Sequence, residues 1–512
     1  MDAKNSAAPP MAPAGVVAPE DCDSGVSPSV WRYAHADRAH VIVDAAAYFE
    51  QLQAAMLRAH ERIMLIGWDF DTRIRLAYGR RWWNLPRRRH FPARLGGFMV
   101  WLVRRHRPLE VLVLRWNFAT LSFLLRGTMV LDLLRWKLSR AIRFRLDGAH
   151  PFGCSHHQKI VVIDDQFAAC GGIDMTGDRW DTPAHLDDDP RRRRPNGKPF
   201  GPWHDMAMLV EGPAAAALAE LARDRWRHAG GGVLPPCRPR PGKAWPEGLR
   251  AEFENVEIGI ARTRAGWRDA GPVREIEALF VEQIAAARRF IYAESQYFAS
   301  RRIAEAFARR LTEPDPPEIV LVTALASTSW LQQQAMDTAR VELLRALGLH
   351  DHAGRLSVWV PHTAAGTPIY VHAKLLIVDD VILRIGSANF NNRSMGLDSE
   401  CDLFIDARRA GNAHAAPVIA RLRQRLLAEH CGIDEALLGE RLERAGSMAA
   451  LIAGASGAGK RLRPFVLQAL TNTKKAIADS ALLDAESPEE IFEPIAKRRG
   501  LFRRGGLLRR PG

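Results

Sequence analysis

Two stretches of this chain set histidine, lysine and aspartate at one spacing. In residues 155–165, SHHQKIVVIDD, His157, Lys159 and Asp164 fit H-x-K-x-x-x-x-D, and in residues 371–380, VHAKLLIVDD, His372, Lys374 and Asp379 fit it again. Each pattern runs on into β-branched and leucine residues, the composition of a buried strand. On a strand, His and Lys two apart project from one face, so a ring nitrogen and an ammonium can both reach one phosphate. We group all six residues as the candidate catalytic set. The aspartates, beyond the apolar run, are expected to orient or fix structure rather than touch substrate. His156 points to the opposite strand face and reads as structural.

The repeat extends past the motif. Seven residues after Asp164 comes Gly171-Gly172-Ile173-Asp174, and seven after Asp379 comes Gly386-Ser387-Ala388-Asn389. Small residues let backbone N–H groups approach an anion, and a polar fourth residue can hold it. The candidate phosphate contacts are therefore Lys159, Lys374, Ser387, Asn389 and Asp174.

A phosphodiester resists attack because it is anionic, so a site needs cations around the non-bridging oxygens, a nucleophile, and an acid for the leaving oxygen. Two lysines, two histidines and loop amides supply these without a metal or another cofactor. One imidazole must be neutral to attack phosphorus while the other is protonated, which predicts a bell-shaped pH profile. A carboxylate on each ring would set its tautomer. The candidates are Asp205, in Trp203-His204-Asp205, and Glu400, in Asp398-Ser399-Glu400, each downstream of its own half's motif. Attack gives a phosphohistidine, which water resolves by hydrolysis or another alcohol by exchange.

These side chains require strands in two matching units. Residues 31–232 alternate helical and β-rich stretches: 40–63 has helical spacing, while 63–68 and 111–114 are strand-like. Prolines and glycines mark 233–256 as a linker. Residues 257–430 repeat the layout, with 275–289 and 331–347 helical and 290–293 and 319–323 strand-like. Residues 1–30 read as a disordered leader without a secretory signal, and 431–512 as a helical or disordered basic extension. Gly454, Gly459 and Lys460 have Walker A spacing, but Arg461 replaces the magnesium-holding Ser or Thr, which argues against nucleotide binding.

The net charge of +14 implies a polyanionic neighbour: nucleic acid, an anionic membrane face or substrate phosphate. The cysteines, scattered without a C-x-x-C pair, argue against a zinc site or a disulfide framework and favour a reducing compartment. The most apolar stretch, 109–138, is interrupted by Arg115, Arg126, Asp132, Arg135 and Lys137, too charged for a spanning helix. Phe118, Leu121, Leu124, Leu125 and Val130 are expected to pack in the core, with lipid contact as the alternative.

These residues resemble the phospholipase D superfamily, specifically its eukaryotic-like branch. The similarity also includes GWDFDTR (67–73), GGIDMTGDRWDTPAH (171–185), WHD (203–205), IYAESQYF (291–298) and GSANFNNRSMGLDSE (386–400), and it covers much of residues 31–429. The resemblance implies an α/β fold: a pseudo-twofold pair of α/β/α sandwich halves with one active site at their interface. It assigns His157 as nucleophile and His372 as acid, with Lys159, Lys374 and Asn389 on the phosphate. Asp174 stands where some relatives have Asn.

The implied activity is that of a phospholipase D or transphosphatidylase, with phospholipid as substrate, an anionic membrane surface as partner, and water or an alcohol as acceptor. A cardiolipin synthase-like phosphatidyltransferase is the alternative, although the membrane helices usual there are not seen. A nuclease is disfavoured because both motifs share one chain with phospholipase-like flanks, and a non-catalytic binder is disfavoured by two intact motifs. The expected location is the cytoplasm or a membrane surface, with Trp82, Trp83 and arginines such as Arg88 as an interfacial anchor.

Overall fold

The apolar run behind each motif forms a fully buried strand. Ile160, Val161, Val162 and Ile163 are each no more than 3% exposed, and burial of such side chains stabilises by roughly 1.5–3 kcal/mol apiece. That anchors the residues at the strand's entrance. The chain is described here from a computed structural model that covers residues 29–77, 91–117, 127–240, 244–268, 270–325, 331–455, 459–467 and 507–508.

The first-half strands are β1 (Arg32–Val43), β2 (Arg62–Gly67), β3 (Glu110–Trp116), β4 (Ile142–Asp147), β5 (Ile160–Ile163), β6 (Phe167–Gly171), the short β7 (Trp203–His204) and β8 (Met206–Glu211). The second series is β9 (Phe253–Arg264), β10 (Val273–Arg274), β11 (Phe290–Ser295), β12 (Glu318–Thr323), β13 (Leu356–His362), the short β14 (Tyr370–Val371), β15 (Lys374–Val378), β16 (Ile382–Gly386) and β17 (Glu400–Asp406), followed by β18 (Arg461–Pro464).

One sheet holds nearly all of them. From the seam outward the first half reads β1-β8-β6-β5-β2-β3-β4 and the second β9-β17-β16-β15-β11-β12-β13, with β18 on the far edge. The parallel pairs match as well: β2–β3 and β3–β4 in one half, β11–β12 and β12–β13 in the other. β1 and β9 pair antiparallel across the seam, from Arg32 opposite Ile260 to Ala39 opposite Phe253. This is the pseudo-twofold α/β architecture. One core runs across both halves on one face of the sheet, including side chains of the helices Pro213–Trp226 and Ala416–Cys431. The other face carries a separate core for each half.

The motif aspartates close matching hairpins. Asp164 and Asp165 (φ 51° and 57°) turn β5 into β6, and Asp379 and Asp380 (54° and 60°) turn β15 into β16. Aspartate tolerates this left-handed geometry better than most residues.

Three sequence expectations differ from the fold. Residues 40–43 are strand, not helix: Val41, Ile42 and Val43 pair with β8, and the helix Ala45–Met56 starts only after Asp44, whose φ is 66°. The expected linker 233–256 is packed: Arg62 donates to the Pro235 carbonyl (2.7 Å), the Cys237 amide to Asp165 (2.9 Å), and Phe253 onward is already β9. The extension adds helices Glu435–Ala445 and Met448–Gly454, but also β18, which pairs with β13. The leader through residue 28, Trp82, Trp83, Arg88, Phe118, Leu121, Leu124, Leu125 and most of the basic tail lie outside the described residues. Among the described residues no helix is long and apolar enough to cross a membrane.

Candidate active site

Each motif histidine is held by backbone from the opposite half. The His157 amide donates to the Ser399 carbonyl (2.9 Å), and the His372 amide to the His204 carbonyl (2.7 Å), continuing the β14–β7 pairing. These two crossings bring His157 and His372 into the wall of one cavity of about 600 Å³.

The ring partners also cross. His157 Nδ1 lies 3.0 Å from both carboxylate oxygens of Glu400, and His372 Nδ1 lies 2.7 Å from Asp205 Oδ2. Each carboxylate sits downstream of its own half's motif yet serves the other half's ring. With Nδ1 committed, Nε2 is the nitrogen left for chemistry. Glu400 is itself held: Ser387 Oγ donates at 2.5 Å and Ser394 Oγ at 2.7 Å. Asn391 accepts from the Ser394 amide (3.0 Å), capping the short helix that presents this hydroxyl.

Lys159 donates to the His157 carbonyl (2.8 Å) and pairs with Asp174 Oδ2 at 3.1 Å. Lys374 donates to the His372 carbonyl (2.5 Å). Asn389, not an acid, stands at the position matching Asp174; its Oδ1 is buried without a hydrogen-bond partner, and it lines the cavity.

Burial and two ammonium groups dominate the electrostatics. His157 is held well below the usual imidazole range by desolvation, then by Lys159 and Lys374. His372 is lowered likewise by desolvation, then by Lys374 and Arg179. Desolvation pushes Lys374 down to about 7, Asp205 up to about 7 and Glu400 up to about 8. Burial thus penalises charge of either sign here. An arriving phosphodiester anion would offset the like-charge repulsion that adds to desolvation at Lys374 and His372.

Asp164 and Asp379 are not part of this wall. Asp164 accepts from the amides of His60, Glu61 and Arg62 at 2.7–2.8 Å, and Asp379 from those of Arg288, Arg289 and Phe290 over the same range. They staple the approaches to β2 and β11 from the far ends of β5 and β15, so grouping them with the catalytic residues is corrected to a structural role. The phosphate contacts also shrink. Ser387 Oγ is spent on Glu400, and Asp174 Oδ1 accepts from the Trp68 amide (3.0 Å) while Oδ2 neutralises Lys159. The amides of Ser387 and Ala388 donate to Asp402 Oδ1 at 3.0 and 3.1 Å, and that of Gly172 to the Met206 carbonyl at 2.8 Å. These amides are therefore not free to hold an anion. Gly172 is small for another reason: a Cβ there would lie 2.1 Å from Asp205 Oδ1. His156 bridges Ser399 Oγ (2.9 Å) and Asp147 (3.1 Å) away from the cavity.

Arg179 went unrecognised from sequence. It lines the cavity 4.3 Å over the Trp203 ring, which stacks on Tyr370 at 4.6 Å. Trp68 and Trp116, stacked at 5.8 Å, line another part of the wall. The only hint was that Arg179 falls in the GGIDMTGDRWDTPAH stretch, since nothing in a lone arginine's spacing announces a site.

A family profile described as "Cardiolipin synthase, PLD-like domain" matches residues 280–423. The chain is 27% identical over 378 residues to phospholipase D1 of Saccharomyces cerevisiae, covering 55% of this chain and 22% of that protein. It is 26% identical over 479 residues to phospholipase D alpha 2 of Oryza sativa subsp. japonica, covering 67% of this chain and 58% of the relative. Less than two thirds of either relative is therefore spanned. The crystal structure of phosphatidylserine synthase from Haemophilus influenzae Rd KW20 shares the fold, with a TM-score of 0.51 and 11% identity over 82% of this chain and 96% of that one.

Proposed function

The chain belongs to the phospholipase D superfamily, and on that premise we propose that it hydrolyses or exchanges phospholipid head groups through a phosphohistidine. One observation carries the reading: two imidazoles from different halves, each with Nδ1 on a carboxylate of the other half, line one cavity, and Lys159 and Lys374 lie near enough to lower both rings. His157 Nε2 attacks phosphorus and forms the P–N bond as the P–O bond to the head-group alcohol breaks. His372 Nε2–H gives that leaving oxygen its proton. In the second step His372 takes a proton from water or an alcohol, whose oxygen displaces His157 and restores both rings. Lys159, Lys374 and Asn389 hold the non-bridging oxygens, with Arg179 as a further cation. No step calls for a metal.

Apolar exposure supports a membrane-surface substrate. Leu131, Leu134 and Leu138 are 56%, 53% and 87% exposed on or just after the helix Met129–Lys137, and Phe152, which lines the cavity, is 76% exposed. Exposed apolar side chains beside a cavity of this kind suit a lipid interface. A phosphatidyl transferase with a lipid alcohol as acceptor is the second reading, favoured by the matching profile's description. Incubation with labelled phosphatidylcholine, phosphatidylethanolamine and phosphatidylglycerol, with and without ethanol and beside single-stranded DNA, tests the reading. Phosphatidylethanol is the expected product; DNA cleavage without lipid turnover would overturn it.

A further inference from the structure

His204 faces two ways. Its carbonyl holds His372, while its ring is fully buried among His185, His430 and three carboxylates. We propose that Asp44, His185, His204 and Glu429 bind one divalent transition-metal ion, of the zinc class, as a structural clamp distinct from the catalytic cavity. This goes beyond the proposed lipid chemistry and does not depend on it.

The donor atoms already have the spacing of a metal's ligands. His185 Nε2 is 3.2 Å from Glu429 Oε1 and 3.4 Å from Asp44 Oδ2; His204 Nδ1 is 3.2 Å from Asp44 Oδ1 and 3.6 Å from Glu429 Oε1. Tetrahedral bonds of about 2.0–2.1 Å put neighbouring ligand atoms about 3.3 Å apart. Hydrogen bonding alone leaves the cluster incomplete, because His204 Nδ1 and Asp44 Oδ2 are buried without a hydrogen-bond partner. Both point into the same group of atoms, which lie within 4.8 Å of one another.

The surroundings are those of a metal site too. The other nitrogen of each ring is held by a carboxylate: His185 Nδ1 by Asp181 at 2.9 Å and His204 Nε2 by Glu294 at 2.8 Å. Those carboxylates are fixed in turn, Asp181 by Arg192 (3.1 Å) and the Trp203 amide (2.9 Å), Glu294 by Tyr292 (2.6 Å) and His430 (3.1 Å). Such outer carboxylates orient ligating imidazoles. With neutral rings, Asp44, Asp181, Glu294 and Glu429 outweigh Arg192 and Lys460 by two negative charges, which one divalent ion balances. Two nitrogens and two carboxylate oxygens suit zinc-type ions better than calcium or magnesium.

The ion would join the halves. Asp44 follows β1, His204 lies on β7, and Glu429 comes from the helix Ala416–Cys431. Asp44 Oδ1 also accepts from the Asp205 amide (3.2 Å), so the clamp would brace the segment whose next side chain holds His372.

Untagged full-length protein, purified without added metal, should contain about one zinc-class ion per chain by elemental mass spectrometry. After chelation, Co(II) should give the intense visible bands of a tetrahedral site, and zinc should restore the melting temperature that chelation lowers. His185→Gln and Glu429→Gln should lose the Co(II) bands, whereas the H157N/H372N double variant keeps them; Asp181→Asn should weaken binding by roughly 10–100-fold. Folded wild-type protein with no bound ion, no visible Co(II) bands and no melting shift would overturn the proposal and leave protonated imidazoles as the balancing charge. Bands that vanish in H157N/H372N would overturn it as well. If the His185 and Glu429 variants do not fold, the wild-type spectrum and the H157N/H372N spectrum decide together.

Discussion

His157 and Glu400 stand 243 residues apart in sequence and 3.0 Å apart in space, the imidazole from one half and the carboxylate from the other. Asp205 and His372 repeat the relationship in reverse at 2.7 Å. Each half therefore supplies the carboxylate that orients the other half's motif histidine.

Glu400→Gln and Asp205→Asn each leave a group of similar size but weaken control of the Nδ1 proton. Each should lower the single-turnover rate by roughly 10²–10⁴-fold while the circular dichroism spectrum stays native. A rate within a few-fold of wild type would remove the orienting role.

Glu400 also makes a signed prediction about pH and stability. Its side chain is fully buried and its pKa is raised from 4.5 to about 8, by desolvation first, with Ser387, Ser394 and Lys159 opposing. Below the unfolded value it is protonated in both states and contributes no pH dependence. As pH rises through that value the unfolded carboxyl ionises while the folded one does not, so its contribution to stability falls until about pH 8 and is then level. The slope in this window approaches about 1.4 kcal/mol per pH unit. Urea denaturation of wild type and Glu400→Gln should show the variant gaining relative stability from about pH 5 to about pH 8; parallel curves would contradict the assignment.

The lysines differ because Asp174 pairs with Lys159, whereas Asn389 occupies the matching position in the second half. Asn389→Asp adds a negative charge to the cavity wall. It should lower kcat/KM about 10-fold or more through weaker phosphate binding. An unchanged kcat/KM would take Asn389 out of the phosphate site.

Removing a hairpin staple should affect the fold and not the chemistry. Asp164→Ala leaves three amides without an acceptor and should cost roughly 2–4 kcal/mol in denaturant unfolding. Turnover per folded molecule should stay near wild type; a selective loss of the chemical step would return Asp164 to the catalytic group.

Lipid contact is tested on the exposed leucines. Leu131→Ser, Leu134→Ser and Leu138→Ser together should weaken co-sedimentation with anionic liposomes and leave turnover of a soluble short-chain phosphodiester intact. Equal sedimentation would move the interface elsewhere.

Much of this was legible in the sequence because local composition and fold agree. The runs IVVI and LLIV after the two lysines read as buried strands and are; the repeated register announced matching halves, and the sheet repeats one strand order. Asp205 and Glu400 were visible as polar residues beside aromatic and small ones. Their exchange was not, since it depends on how the halves dock. The use of Ser387 and the loop amides was also hidden, because the amide acceptor Asp402 lies on β17, beyond the motif. The four proposed metal ligands come from positions 44, 185, 204 and 429, too far apart for any spacing rule to group them.

The proposed chemistry comes down to a phosphorus–nitrogen bond on one particular ring. A lipid phosphodiester with a nitrophenol leaving group needs little help from an acid, so His372→Asn should still form the covalent species but resolve it slowly. Acid-avoiding quench, digestion and peptide mass spectrometry should then find the phosphatidyl adduct on His157, and none in His157→Asn. A burst of nitrophenol with the adduct on another residue, or with no adduct on the chain, would rule out His157 as the nucleophile.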